Sequence, residues 1–273
     1  MPVFDKPMIY YPLSTLMLAG VREVLVISRP DDAAAVRGLL CDGSFLGMRI
    51  EHAVQPRPDG VPQAFTIGAD FVADAKVALA LGDNLLHGPG VDVSLAAHTD
   101  VDGALVFAHR VRNPSGYGIV EFDRDGHVLS IEEKPRHPRS DFAVPGLYFY
   151  DNDVVDIARA IRPGLRGRLE ITAVNEVYRR LGRLRVSVLG PETAWLDTGA
   201  FESLTAATEF VRTEEVRQGH KVGCIEEIAW RRGWIDDDRL IERARQLRSS
   251  GYGQYLALLA GQRRDHTVLE LPA

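Results

Sequence analysis

The apolar run Val77-Ala78-Leu79-Ala80-Leu81 stops at Gly82-Asp83-Asn84, and this junction restricts the fold more than any other stretch. A run of that length bounded by turn residues reads as a fully buried strand. Strands buried on both faces belong to a sheet covered on both sides. An acidic residue just past such a strand stands at the carboxyl edge of an open α/β sheet, where ligands gather in the crevice. Asp83 there either helps to hold a hard cation such as Mg²⁺ or closes its own turn. Local pattern weighs the two evenly.

The flanking segments extend this pattern. Met8 to Gly20 predicts a helix with Ile9, Leu13, Leu16 and Met17 on one face. Glu23 to Ser28 reads as a strand, Asp31 or Asp32 as the cap of a helix to Leu40, and Met48 to Val54 as a second strand. A helix over Gln63 to Val72 then leads into the anchor strand. Val91 to Asp100 predicts a helix and Ala104 to Arg110 a strand. Tyr117 to Phe122 and His127 to Glu133 predict an antiparallel pair joined around Asp123-Arg124-Asp125-Gly126. Phe142 to Tyr150 reads as one apolar strand, followed by a helix capped by Asp153, another capped by Thr172, and a strand over Leu184 to Leu189. Beyond Gly199 the chain is expected to be helical, with Gln262 to His266 polar and frayed. The alternation implies a doubly wound, mostly parallel α/β sheet with an antiparallel insertion and a helical C-terminal part. The expected division is an α/β domain over residues 1–213 and a packed helical extension over 214–273.

Composition narrows the function classes. A net charge of −6 without a long basic run argues against a nucleic-acid surface. Cys41 and Cys224 form no metal-type or redox-type pair, which suits a reducing cytoplasm. No apolar run is long enough to span a bilayer.

Three further places carry chemistry. Gln55 opens the stiff loop Gln55-Pro56-Arg57-Pro58-Asp59-Gly60, and its amide offers the donor and acceptor needed to read a pyrimidine edge. Gly60 would let a ligand approach the backbone. Both also fit a plain rigid turn with a solvated Gln. Lys134, in Glu132-Glu133-Lys134-Pro135, is a candidate phosphate clamp or else half of a surface ion pair. Asp197, in Trp195-Leu196-Asp197-Thr198-Gly199, follows a short apolar strand as Asp83 does, so the two could share one Mg²⁺.

Taken together, these residues resemble the sugar-phosphate nucleotidyltransferases, within them the branch that transfers thymidylyl groups to glucose 1-phosphate. The matching stretches run from Asp5-Lys6-Pro7-Met8-Ile9-Tyr10-Tyr11-Pro12-Leu13-Ser14 through Gln55-Pro56 with Asp59-Gly60, Leu81-Gly82-Asp83-Asn84, Tyr117-Gly118 and Glu132-Glu133-Lys134-Pro135. They continue through Gly146-Leu147-Tyr148-Phe149-Tyr150-Asp151 and Leu169-Glu170-Ile171-Thr172 to Trp195-Leu196-Asp197-Thr198-Gly199, in family order. The resemblance implies a Rossmann-like nucleotidyltransferase fold. It implies in-line attack by glucose 1-phosphate on the α-phosphorus of dTTP, giving dTDP-glucose and pyrophosphate. It further implies that Gln55 and the Gly60 backbone read thymine, that Asp83 and Asp197 hold Mg²⁺, and that Lys134 clamps the sugar phosphate. Asn84, Gly118, Glu133 and Val144 would line the hexose. A cytoplasmic homotetramer is the assembly it implies.

The family pattern departs at one end. Its members begin with a buried strand and a glycine-rich loop carrying an Arg, whose backbone N–H groups cradle the triphosphate. Here Met1 stands directly at the Asp5-Lys6-Pro7 segment. The expectations are an upstream start or a shortened product, and little transfer activity from the chain as it stands. A non-catalytic relative that binds sugar nucleotides, and the same chemistry with UTP, are the alternative readings.

Overall fold

The computed structural model describes every residue except Leu165 and residues 270–273, with side chains described as far as Gly261. A short hairpin, β1 (Pro2–Val3) and β2 (Lys6–Pro7), precedes the first helix α1 (Tyr10–Leu18). The sequence expectation of a helix as first element therefore gives way to a hairpin, turned at Phe4 with φ of 57°. Residues Tyr10 to Met17 are all buried, not one face only, because α1 is packed on several sides.

Next come β3 (Glu23–Ser28), α2 (Pro30–Leu40) and β4 (Arg49–Val54), with β3 and β4 parallel. Pro30 occupies the first turn of α2, so neither Asp31 nor Asp32 caps it; both lie inside that turn, where acidic groups suit the helix dipole. The expected helix over Gln63 to Val72 is two short ones, α3 (Gln63–Ile67) and α4 (Ala69–Val72), divided at Gly68. They lead to β5 (Val77–Ala80), β6 (Asn84–His87), α5 (Val91–Ala96) and β7 (Ala104–Arg110). The hairpin β8 (Gly118–Phe122) and β9 (Val128–Glu133) follows, then β10 (Phe142–Ala143) and β11 (Leu147–Tyr150). Pro145-Gly146 breaks what the sequence suggested was one strand. Then come α6 (Val154–Ala160), α7 (Ile171–Arg180), β12 (Leu184–Val188) and β13 (Ala194–Asp197). Neither Asp153 nor Thr172 caps its helix through the side chain. The chain ends in α8 (Phe201–Gln218), α9 (Ile225–Arg231), α10 (Asp237–Gln246) and α11 (Gly251–Leu269). The α8 helix crosses residue 213, and residues 262–266, expected to be frayed, lie within α11, their side chains outside the described residues.

The central sheet runs β5-β11-β7-β10-β8-β9, with β12 on the other edge of β7. It is not mostly parallel, as the sequence reading expected. Within it only β12 and β7 run parallel; the remaining pairs are antiparallel. The physical reason is the connections: β8 returns as β9 through a tight turn, and β11 folds back between β5 and β7. Parallel neighbours need a long crossover, which among the described strands the β3–α2–β4 unit and the path from β7 to β12 supply. A separate antiparallel pair joins β6 and β13.

Alternation along the strands builds two cores, one on each sheet face. Leu105, Phe107, Leu147 and Phe149 face α1 and helices α9–α11, while Val106, Ala108, Tyr148 and Tyr150 face α6 and α7. The β5 strand is half-buried rather than fully buried, since β3 and β5 face each other across a slot of about 370 Å³. Leu25, Ile27, Val77 and Leu79 line that slot.

A buried ionic node ties the hairpin to α8. Lys6, 2% exposed, bonds Glu215 at 2.7 Å and Asp5 at 2.6 Å, and Lys221 bridges the same two carboxylates.

Candidate active site

The site grows from the end of β5. Leu81 N–H donates to Gly146 O at 2.8 Å, which carries the chain across the β11 turn and sets Asp83 beyond the sheet. The next residue, Asn84, begins β6 and pairs in register with Asp197 at the end of β13. The Thr198 N–H and hydroxyl both donate to Asp83 O at 2.8 Å, which sews the two segments together. Consequently the carboxylates meet: Asp197 Oδ1 and Asp83 Oδ2 lie 3.0 and 3.5 Å from where a Cβ on Gly199 would sit. A side chain at Gly199 would occupy that space. Burial pushes the Asp197 carboxyl pKa up and the Asp83 charge adds to it, while the Gly199 N–H and the Lys134 charge work the other way.

Two carboxylate oxygens facing one spot form a hard-oxygen donor set that suits Mg²⁺. The donor chemistry therefore fits the ion that the sequence reading expected.

Lys134 follows β9 directly, with an exposed side chain and φ of 45°, and its N–H donates to Tyr117 O at 3.0 Å. Glu133 does not pair with it. Its carboxylate accepts from the Thr172 hydroxyl at 2.5 Å and from Arg166 at 2.8 Å. Gly118 pairs across the hairpin with Glu133, and a Cβ on it would stand 3.4 Å from Thr172 Oγ1 and 3.5 Å from Glu133 Oε2. Buried Val144 donates its N–H to Gly118 O at 2.8 Å. Asn84 bonds Asp83, Gly118 is joined to Glu133 and Val144 across neighbouring strands, and the Lys134 charge reaches Asp197.

Gln55 and Gly60 stand on the loop between β4 and α3. The Gln55 Nε2 donates to Gly60 O at 3.2 Å and to Gln63 Oε1 at 2.7 Å, leaving Oε1 as its open acceptor. The reason for Gly60 differs from the sequence reading. Its φ is +133°, and a Cβ there would lie 1.9 Å from Leu169 O, so the close approach is by this chain's own backbone. Leu169 N–H closes the contact on Asp59 O at 2.8 Å. That segment continues into Arg166 and Glu170, which bond each other at 2.8 Å, and so joins the Gln55 loop to the Glu133 wall.

Arg166 and Trp195 were given no role by sequence reasoning. The signal for Arg166 was an arginine between Gly164 and Gly167, a turn that presents a guanidinium outward. Trp195 has its indole N–H on Asn84 Oδ1 at 2.6 Å and its ring 4.9 Å from that of Tyr117.

Residues 1–214 match the nucleotidyl transferase family. The chain belongs to that family. Among its relatives, the glucose-1-phosphate thymidylyltransferase of Mycolicibacterium smegmatis is 57% identical over 95% of this chain and 90% of its own length. The enzyme of the same name from Mycobacterium tuberculosis is 56% identical over 94% of this chain and 89% of its own. Among solved structures, a putative glucose-1-phosphate thymidylyltransferase from Bacillus anthracis, in complex with a sucrose, superposes with a TM-score of 0.70. It is 30% identical and covers 78% of this chain and 85% of that one. UDP-glucose pyrophosphorylase, at 19% identity and a TM-score of 0.67 over 78% of this chain and 89% of its own, shares the nucleotidyl transferase fold.

Proposed function

We propose that this nucleotidyl transferase moves a thymidylyl group from dTTP to glucose 1-phosphate, giving dTDP-glucose and pyrophosphate. The observation that carries the reading is the Asp83–Asp197 pair facing one spot beside Lys134, in a chain more than half identical to thymidylyltransferases. A phosphate oxygen of glucose 1-phosphate attacks the α-phosphorus of dTTP. The new P–O bond forms as the α–β bridging P–O bond breaks, and the electron pair leaves with pyrophosphate. No side chain has to become a nucleophile, so the protein contributes position and charge.

Asp83 and Asp197 would hold Mg²⁺, which when bound neutralises phosphate charge at the α-phosphorus. Lys134 clamps the sugar phosphate as a point charge. Arg166, paired with both Glu133 and Glu170, braces the Glu133 side of the site and adds no free positive charge. Asn84, Gly118, Glu133 and Val144 line the hexose, with Glu133 held rigid by Thr172 and Arg166. Gln55 reads thymine by accepting the imide N–H on Oε1, and the Gly60 backbone borders the base. Donation from Gln55 to a base carbonyl exchanges one of its bonds to Gly60 or Gln63.

The helices after residue 213 form the C-terminal extension in this reading, and a cytoplasmic homotetramer is the proposed assembly. No described helix is long and apolar enough to cross a membrane.

The test is to supply dTTP and UTP together with glucose 1-phosphate and Mg²⁺, and to separate the products by anion exchange. Of the sugar nucleotide formed, dTDP-glucose is expected in large excess over UDP-glucose, and it is lost in Asp83→Asn and Asp197→Asn. Predominant UDP-glucose, or unchanged turnover in both variants, contradicts the reading. The same assay reads whether residues 1–273 suffice for the reaction.

A further inference from the structure

We infer that Trp195 is the positioning residue that presets Asp83 for the cation, acting through Asn84. The inference rests on the reading of Asp83 and Asp197 as cation ligands given above.

Two donors converge on Asn84 Oδ1: the Trp195 indole N–H at 2.6 Å and the Gly146 N–H at 3.0 Å. They fix which way the amide points, because turning it would set its NH₂ group against two N–H groups. The amide nitrogen is then directed at Asp83, donating to Oδ1 at 2.8 Å. The other oxygen, Oδ2, is the one that faces the Gly199 spot shared with Asp197. One oxygen of Asp83 is held, and the other is presented.

A half-buried indole N–H finds an acceptor in most folds. This one has a consequence because its acceptor ends on a carboxylate. The chain is also rigid at each link. Asn84 is 8% exposed. Gly146 has no room for a side chain, since a Cβ would lie 2.8 Å from Asn84 Nδ2 and 2.7 Å from Leu81. The Trp195 ring is flanked by Tyr117 at 4.9 Å and His109 at 6.0 Å, and its backbone pairs with Leu86. Two neighbouring carboxylates repel each other and would swing apart without a cation. The Trp195–Asn84 prop keeps Asp83 facing its partner before the ion arrives.

The experiment is a titration with Mn²⁺ alone, no nucleotide present, following free ion by electron paramagnetic resonance. Trp195→Phe keeps the ring and removes only the N–H. It is expected to weaken Mn²⁺ binding severalfold, up to the roughly tenfold that losing a direct outer-sphere partner such as Asn84 typically costs, with an unchanged melting midpoint. Wild-type Mn²⁺ affinity in Trp195→Phe overturns the proposal when Asp83→Asn binds weakly. No loss in either Asp83→Asn or Asp197→Asn instead overturns the cation reading beneath it, as does a wild type that binds no Mn²⁺ unaided. Should Trp195→Phe melt early, Asn84→Leu decides. It removes the middle link while leaving the indole packing, and wild-type affinity there also overturns the proposal.

Discussion

Charge on single side chains governs what the site can do. Burial raises the Asp197 carboxyl pKa and the charge of exposed Lys134 offsets part of that rise, so Lys134 brings positive charge toward the aspartate pair. Replacing it with Met should lower turnover by ~10²–10³, the usual effect of losing one preorganised electrostatic group, while dTTP binding changes little. Steady-state kinetics with each substrate varied in turn would show this, and equal losses in both binding terms would argue for general damage. Gln55→Glu sets a carboxylate against Gly60 O and Gln63 Oε1, where an amide now donates. Loss of dTTP affinity by ~1–3 kcal/mol is expected, the range for a disrupted buried hydrogen bond. Isothermal titration of the nucleotide measures it, and unchanged affinity would remove Gln55 from the base site. At this scale the sequence was most readable in placement, as in Asp83 and Asp197, which both stand at the ends of short strands and face one space. Arg166 and Trp195 were not readable, because their roles depend on which side chains the fold sets 2.6–2.8 Å away.

Elements carry the next set of consequences. The Gln55 loop holds its shape because Gly60 lies against Leu169. Gly60→Ala must displace that contact from a left-handed backbone, so a loss of stability beyond ~1 kcal/mol together with weaker dTTP binding is expected. Chemical denaturation and nucleotide titration of one variant test both, and wild-type values would mean the loop relaxes freely. The β1–β2 hairpin is held to α8 by Lys6, Asp5, Glu215 and Lys221. Lys6→Met should cost ~3–5 kcal/mol, since removing one partner of a buried ion pair strands the other.

The same node predicts a pH dependence. Burial tends to raise the Asp5 pKa, but the bonds and charges of Lys221 and Lys6 bring it below the ordinary carboxylate value. A folded pKa below the unfolded one gives stability that is present above the unfolded pKa and lost as pH falls through the folded one. Asp5→Asn should therefore be less stable than wild type at neutral pH, with the gap closing in acid; a gap independent of pH would contradict the assignment.

Strand and helix positions were legible from periodicity, as β3 and β7 show. Strand direction was not, because alternation of apolar residues is blind to whether β11 enters between β5 and β7 from above or below. The helix caps failed for a local reason: Pro30 starts α2 by its fixed φ, and the Thr172 hydroxyl is taken by Glu133.

At the scale of the whole molecule, the candidate residues leave the ends of strands from three different sheets. Asp83 leaves β5, Asp197 ends β13, Lys134 follows β9, and Gln55 stands on the loop after β4. Carboxylates, a lysine and hydrogen-bonding groups set out in this way suit transfer directly from one substrate to the other. That is the central claim, and isotope placement tests it most directly. The enzyme is incubated with glucose 1-phosphate, Mg²⁺ and dTTP carrying ³²P at either the α or the γ position. The account predicts α-label in dTDP-glucose, γ-label in pyrophosphate, and no label retained on the protein after denaturation. Label bound covalently to the chain, or γ-label in the sugar nucleotide, would contradict it.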